Sequence, residues 1–188
     1  MADFGFSLGL SRISGPIART VSDAAALLDV MAGYEPGDPI RLDAPERPFA
    51  EAARTEPGGL RIAVTVEPPV DVSVDPACAE AARDCASLLA DLGHDVVEAS
   101  PPVRIGWSFE GEDEPLAQFA RQILFTPFTP VWNVTGQPAA SVPFAEHEGV
   151  PIGVQLVGPP GGEEVLLRLA AQLEQARPWR DRVPPTAV

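Results

Sequence analysis

Serine, cysteine, histidine and acidic side chains are the groups in this 188-residue chain that could do chemistry, because the chain holds no lysine. All 13 of its basic residues are arginine. Arginine stays protonated in proteins and cannot act as a general base. Gly5-Phe6-Ser7-Leu8-Gly9 fits the G-x-S-x-G pattern of a nucleophile elbow, but that turn needs a strand before it and a helix after it. Only four residues precede Gly5, and Leu10 to Gly15 carries no helical pattern. Ser141 could enter a relay with His94 or His147, the chain's two histidines, yet nothing in the spacing brings them together. Glu110, Glu112, Asp113 and Glu114 read as a solvated acidic loop. Gly158, Gly161 and Gly162 precede a helix without the G-K-[ST] ending of a phosphate loop. A metal site needs three or four convergent ligands, and no spacing here supplies them. We therefore assign no catalytic residue, no metal ligand and no cofactor. Cys78 and Cys85 lie seven apart in a helical pattern, about 10 Å at ~1.5 Å per residue, too far for a disulfide. Their stripe gives both as buried core thiols.

The elements that must position these groups follow from periodicity. Val21, Ala24, Ala25, Leu28 and Met31 mark one face of a helix over about 21–32, with Thr20 as N-cap and Gly33 just past its end. Arg19 and Asp23, four apart at its start, are expected to pair. Residues 34–59 are a proline- and glycine-rich connection with a short helix near 49–54. Leu60, Ile62, Val64 and Val66 alternate with small or polar residues, which predicts a strand with one face buried. Asp75-Pro76 opens a helix ended by Gly93, and a second strand runs from His94 to Glu98. Strand, helix, glycine and strand make a βαβ rhythm. Residues 100–113 are irregular, and 114–124 read as a helix. Ala139 to Pro143 is a short strand and Pro151 to Val157 a longer one. The last helix spans 163–176, with Val165, Leu166, Leu169 and Leu173 inward and Pro178 stopping it.

Composition bounds the function classes. The net charge of −14 would repel nucleic-acid phosphates and anionic lipid, so no nucleic-acid or membrane partner is expected. No stretch approaches the ~20 apolar residues of a membrane span, and the start lacks the basic residues of a signal peptide. We read the chain as cytoplasmic and as one incomplete domain over 1–188.

Two segments carry a family resemblance. The first is Gly15-Pro16-Ile17-Ala18-Arg19-Thr20-Val21-Ser22-Asp23-Ala24-Ala25-Ala26-Leu27-Leu28-Asp29. The second is Asn133-Val134-Thr135-Gly136-Gln137-Pro138-Ala139-Ala140-Ser141-Val142-Pro143, continued by Gly149 to Gly158. Both, in this order, resemble the C-terminal half of the amidase signature family. The closing Arg177-Pro178-Trp179 is similar as well, and residues 60–98 resemble the family's middle portion more loosely.

The resemblance implies an α/β fold, part of a mixed β-sheet flanked by helices. It implies amide-bond hydrolysis by a serine nucleophile, a second serine bridging through a cis peptide, and a lysine base. A serine hydroxyl needs such a base, and a lysine can serve when its environment keeps it neutral. In the family these three residues precede the segment that begins here at Gly15, so none is carried over. Arginine is no substitute. Family members also carry a longer insert between the positions of Pro102 and Thr129. By the same resemblance, Trp132, Asn133, Thr135, Gly136 and Gln137 lie in a loop at the substrate cleft. The other reading makes Trp132 core and Thr135-Gly136 a plain turn.

The expectation is a truncated amidase-family chain, inactive alone, whose ligand is a small-molecule amide. Its missing parts point to a complementary N-terminal amidase chain, as in a split amidase or amidotransferase, or to self-association. A binding module without enzymatic activity is the alternative. An in-frame lysine and Ser-Ser loop upstream of Met1 would restore an active amidase.

Overall fold

The computed structural model describes residues 15–34, 44–101 and 127–182. The expected helix over 114–124, the acidic run at 110–114 and the Ser7 pattern lie outside the described residues. The chain divides into two compact units. The described part of one comprises 59–101 and 127–135, and that of the other 15–34, 44–58 and 136–182.

The first unit is built on a βαβ motif. Strand β1 (Arg61–Val64) pairs in parallel with β2 (Asp95–Glu98), Arg61 opposite Asp95 and Val64 opposite Glu98. The connecting helix, Pro76–Asp91, starts where Asp75 accepts from the Ala77 N–H and where Pro76 needs no amide partner. It ends in a Schellman motif: the His94 N–H donates to the Leu89 carbonyl and the Gly93 N–H to that of Ala90. Ala81, Cys85 and Leu89, four apart, form its buried line. Cys78 is exposed, which corrects the expectation of two buried thiols, and the two cysteines form no disulfide. The reason is length. Sixteen helical residues extend ~24 Å, whereas four-residue strands extend only ~13 Å. The first turn thus overhangs the strands. The same unit holds a six-residue helix, Pro130–Thr135, which buries Val131.

The second unit packs three helices and a hairpin. Helix α1 (Val21–Met31) contacts both α2 (Phe49–Ala52) and the closing helix Glu163–Ala176. Strands Ala139–His147 and Val150–Val157 pair antiparallel, and the hairpin's first strand packs on the closing helix. The turn Glu148-Gly149 has φ of 49° and 79°, the pair of positive values that a type I′ hairpin turn requires. It extends the first strand four residues beyond the expected end at Pro143. An extra residue between Pro143 and Ala145 makes a β-bulge at Phe144, whose side chain is 1% exposed. Leu166, Leu169, Ala170 and Leu173 of the closing helix complete this core, while Val165 is only half-buried.

The α/β class holds. Among the described residues the parallel and antiparallel ladders form separate two-stranded sheets. No helix among them is long and apolar enough to cross a membrane.

Candidate functional site

The segment Trp132 to Pro138 is not a continuous loop. Pro130 starts a short helix, and Gly136, with φ of 72°, ends it. Trp132 and Asn133 lie on that helix, half-buried. Thr135 is exposed on its last turn, where its hydroxyl reaches back 3.4 Å to the Trp132 carbonyl. A six-residue sequence with proline first and glycine next after its end has both helix signals. The run of prolines around it is what reads as loop. Gly136 and Gln137 belong to the second unit, so the division of the chain falls inside the expected site.

Gln137 has a defined structural task. Its Nε2 donates to the Gly158 carbonyl at 3.1 Å, while the Gly158 N–H donates to the Pro138 carbonyl. These bonds join the start of the hairpin's first strand to the end of its second. Gly158 is buried, and a Cβ there would stand 3.2 Å from Leu166 and 3.3 Å from the Gly162 carbonyl. The second matched motif is thereby fixed against the start of the closing helix.

The first matched motif is held by its expected Thr20–Asp23 cap and by two carboxylates that sequence reading missed, Glu174 and Asp29. The Thr20 hydroxyl accepts from the Asp23 N–H at 3.1 Å and donates to the Asp23 carboxylate at 2.7 Å. Asp23 is therefore committed to Thr20, and no Arg19–Asp23 ion pair forms among the described residues. Glu174, on the closing helix, accepts from the Val21 N–H at 3.0 Å and so caps α1 from a position 153 residues away. Negative charge at a helix N-terminus is favourable. Among the described residues the other Glu174 oxygen, which is buried, has no hydrogen-bond partner. Asp29 accepts from Phe49 and Ala50 at 2.6 and 2.9 Å, one oxygen to each amide at the start of α2. The Trp179 indole donates to the Arg19 carbonyl at 3.2 Å, and Arg177 lies 4.3 Å over the Phe144 ring. Glu164 receives both Arg168 at 2.8 Å and Arg47 at 3.4 Å. Apart from the local Thr20–Asp23 and Glu164–Arg168 pairs, local sequence gives no sign of these contacts, because they close across tens of residues.

The remaining candidates stay apart. Ser141 sits opposite Gln155, and His147 opposite Val150 at the other end of the hairpin. Six residues of strand separate them, ~20 Å. His94, 7% exposed, uses Nδ1 to accept the Leu60 N–H at 3.1 Å, which places the proton of the neutral ring on Nε2. Among the described residues no group of His, Cys, Asp and Glu could hold a metal.

Known proteins with this arrangement define its class. The structure of 6-aminohexanoate cyclic dimer hydrolase superposes with a TM-score of 0.75 at 28% identity, over 89% of this chain and 55% of that one. A bacterial aryl acylamidase of the amidase signature enzymes shares the fold, with a TM-score of 0.70 at 20% identity, over 88% of this chain and 53% of that one. The sequence profile of the Amidase family matches residues 5–106 and 107–167. The chain belongs to the Amidase family.

Among curated relatives, the 6-aminohexanoate-cyclic-dimer hydrolase of Paenarthrobacter ureafaciens is 30% identical, over 90% of this chain and 55% of the relative. The putative amidase AmiB2 of Mycobacterium tuberculosis is 31% identical, over 94% and 54%. The chain thus spans about half the length of these relatives. The alignment with the hydrolase runs to 271 positions, more than the 188 residues present, so the hydrolase has internal residues without a counterpart here. The profile match breaks between 106 and 107, inside the stretch 102–129 that sequence reading marks as shortened.

Proposed function

We propose that this chain is the scaffold portion of an amide-bond hydrolase and that these 188 residues alone do not turn over amides. The observation that carries the reading is the absence of lysine from a chain that matches about half of its relatives' length. A serine hydroxyl without a base is a weak nucleophile, and arginine cannot take its proton. The role proposed for the chain is to hold one side of a cleft for a small-molecule amide, with Trp132, Asn133, Thr135, Gly136 and Gln137 lining it. The lysine and paired serines come from a complementary N-terminal amidase segment.

Exposed apolar side chains support the need for that complement. Ile17 is 96% exposed and Val30 83%. Leu27, Val30 and Met31, spaced i, i+3 and i+4, leave a second apolar face of α1 uncovered, and Met31 is half exposed rather than inward as its spacing from Leu28 predicts. Such a face is a cost in water unless something covers it.

The test is an amide-hydrolysis assay on the purified chain with simple aliphatic and aromatic amides. No turnover above the uncatalysed rate is expected. Turnover abolished by a serine-directed inhibitor would overturn the proposal. Joining the chain to a segment that carries the family's lysine and serines is expected to produce activity, and Trp132→Ala in that enzyme should raise KM.

A further inference from the structure

The parallel motif has a hollow of about 210 Å³ that the amidase reading does not use. It is lined by Val64, Thr65 and Val66 at the end of β1, Glu98 at the end of β2, and Arg83, Ala86 and Ser87 on the connecting helix. Crevices outside the carboxyl ends of parallel strands are where open α/β sheets bind ligands. The volume corresponds to roughly seven waters at ~30 Å³ each, room for a small organic molecule. Its lining is mixed in a specific way. Val64, Val66 and Ala86 give it a half-buried apolar lining, and Arg83 and Glu98 add an exposed cation and an exposed anion.

Those two charges are not spent on each other. No ion pair joins Arg83 to Glu98, and neither makes a side-chain hydrogen bond among the described residues. Nearby polar groups are otherwise engaged: the Thr65 hydroxyl bonds Ser100 at 2.8 Å and the Glu67 N–H at 3.1 Å. Among the described residues of the lining, Arg83 and Glu98 are thus the charged groups left to meet a ligand. A guanidinium suits a carboxylate, and a carboxylate suits an ammonium.

We propose that this hollow binds a small zwitterion, a carboxylate and an ammonium joined by a short apolar linker, with Arg83 holding the first, Glu98 the second and the valine lining the linker. Both charges face water, so the affinity is weak and falls with salt. The proposal is independent of the amide-hydrolysis reading, because binding is measured without turnover.

The experiment is a titration of the 188-residue chain with 5-aminopentanoate, followed by amide resonances. Saturable shifts at Thr65, Val66, Ala86 and Ser87 are expected, with a Kd on the order of millimolar. Arg83→Gln should weaken 5-aminopentanoate and pentanoate by about 3- to 10-fold while leaving pentylamine unchanged. Glu98→Gln should weaken 5-aminopentanoate and pentylamine while leaving pentanoate unchanged. Both residues are exposed, so both variants should keep the parent's spectrum elsewhere. Equilibrium dialysis with radiolabelled 5-aminopentanoate gives the same answer from a sample too heterogeneous for resonances. Absence of saturable binding, or binding that neither substitution changes, would overturn the proposal.

Discussion

Asp29 closes the first matched motif, and its carboxylate, which caps α2, joins two segments twenty residues apart. Removing it leaves two amides at a helix start without acceptors. Asp29→Ala should therefore lower stability by about 1–2 kcal/mol in urea unfolding, and Asp29→Asn should recover part of the loss. His94 is a second such residue. It is a histidine by type but an acceptor by role, because its ring nitrogen serves the Leu60 amide at the entrance to β1. His94→Leu fills similar space without an acceptor, and the orphaned N–H should cost about 1–3 kcal/mol. An unchanged unfolding midpoint in His94→Leu would refute that role. Among the expected site residues, Gln137 spends its Nε2 on the Gly158 carbonyl and so holds the two ends of the hairpin together.

At the scale of elements, glycines mark where close approach matters, and two of them differ in what they approach. At Gly162, which precedes the closing helix, a Cβ would stand 2.7 Å from the Pro159 carbonyl oxygen. That neighbour is backbone and cannot rotate away. At Gly153, on the hairpin, a Cβ would stand 2.7 Å from the Ser141 hydroxyl, the end of a side chain that can change rotamer. Gly162→Ala should cost ~1–3 kcal/mol, and Gly153→Ala clearly less. Comparing the two by thermal melts checks the argument, and Ser141→Gly should rescue only Gly153→Ala. Much of the element level was legible in the sequence. The closing helix runs from Glu163 to Ala176 as its leucine spacing predicts, and Thr20 and Asp75 cap the helices they precede. The hairpin was not legible, because Glu148-Gly149 is a poor turn signal and Pro143 suggests a strand end. The structure instead absorbs Pro143 beside a bulge.

At the scale of the molecule, the family and the predicted inactivity rest on different grounds. Membership follows from a profile that matches most of the chain and from a shared fold. The proposed inactivity rests on chemistry, since these 188 residues hold no lysine and arginine cannot take a serine's proton. The amide assay therefore tests the second without touching the first. The uncovered apolar face of α1 belongs to the same scale. In a chain joined to the proposed complementary segment, Leu27, Val30 and Met31 should become protected from solvent, which hydrogen exchange along α1 would report.

The sequence by itself determined the family, the helices with clean periodicity, the βαβ rhythm and the absence of lysine. These are local or compositional properties, written in spacing and residue type. Only the tertiary structure decided that Glu174 and Asp29 hold the first motif, that Cys78 lies outside the core, and that Trp132 to Thr135 are helical. It also brought Arg83 and Glu98 to the lining of one hollow. These features depend on which residues meet after long loops close and on how far a helix outruns its strands. A one-dimensional pattern records side-chain types, and hydrogen-bond partners are chosen in three dimensions.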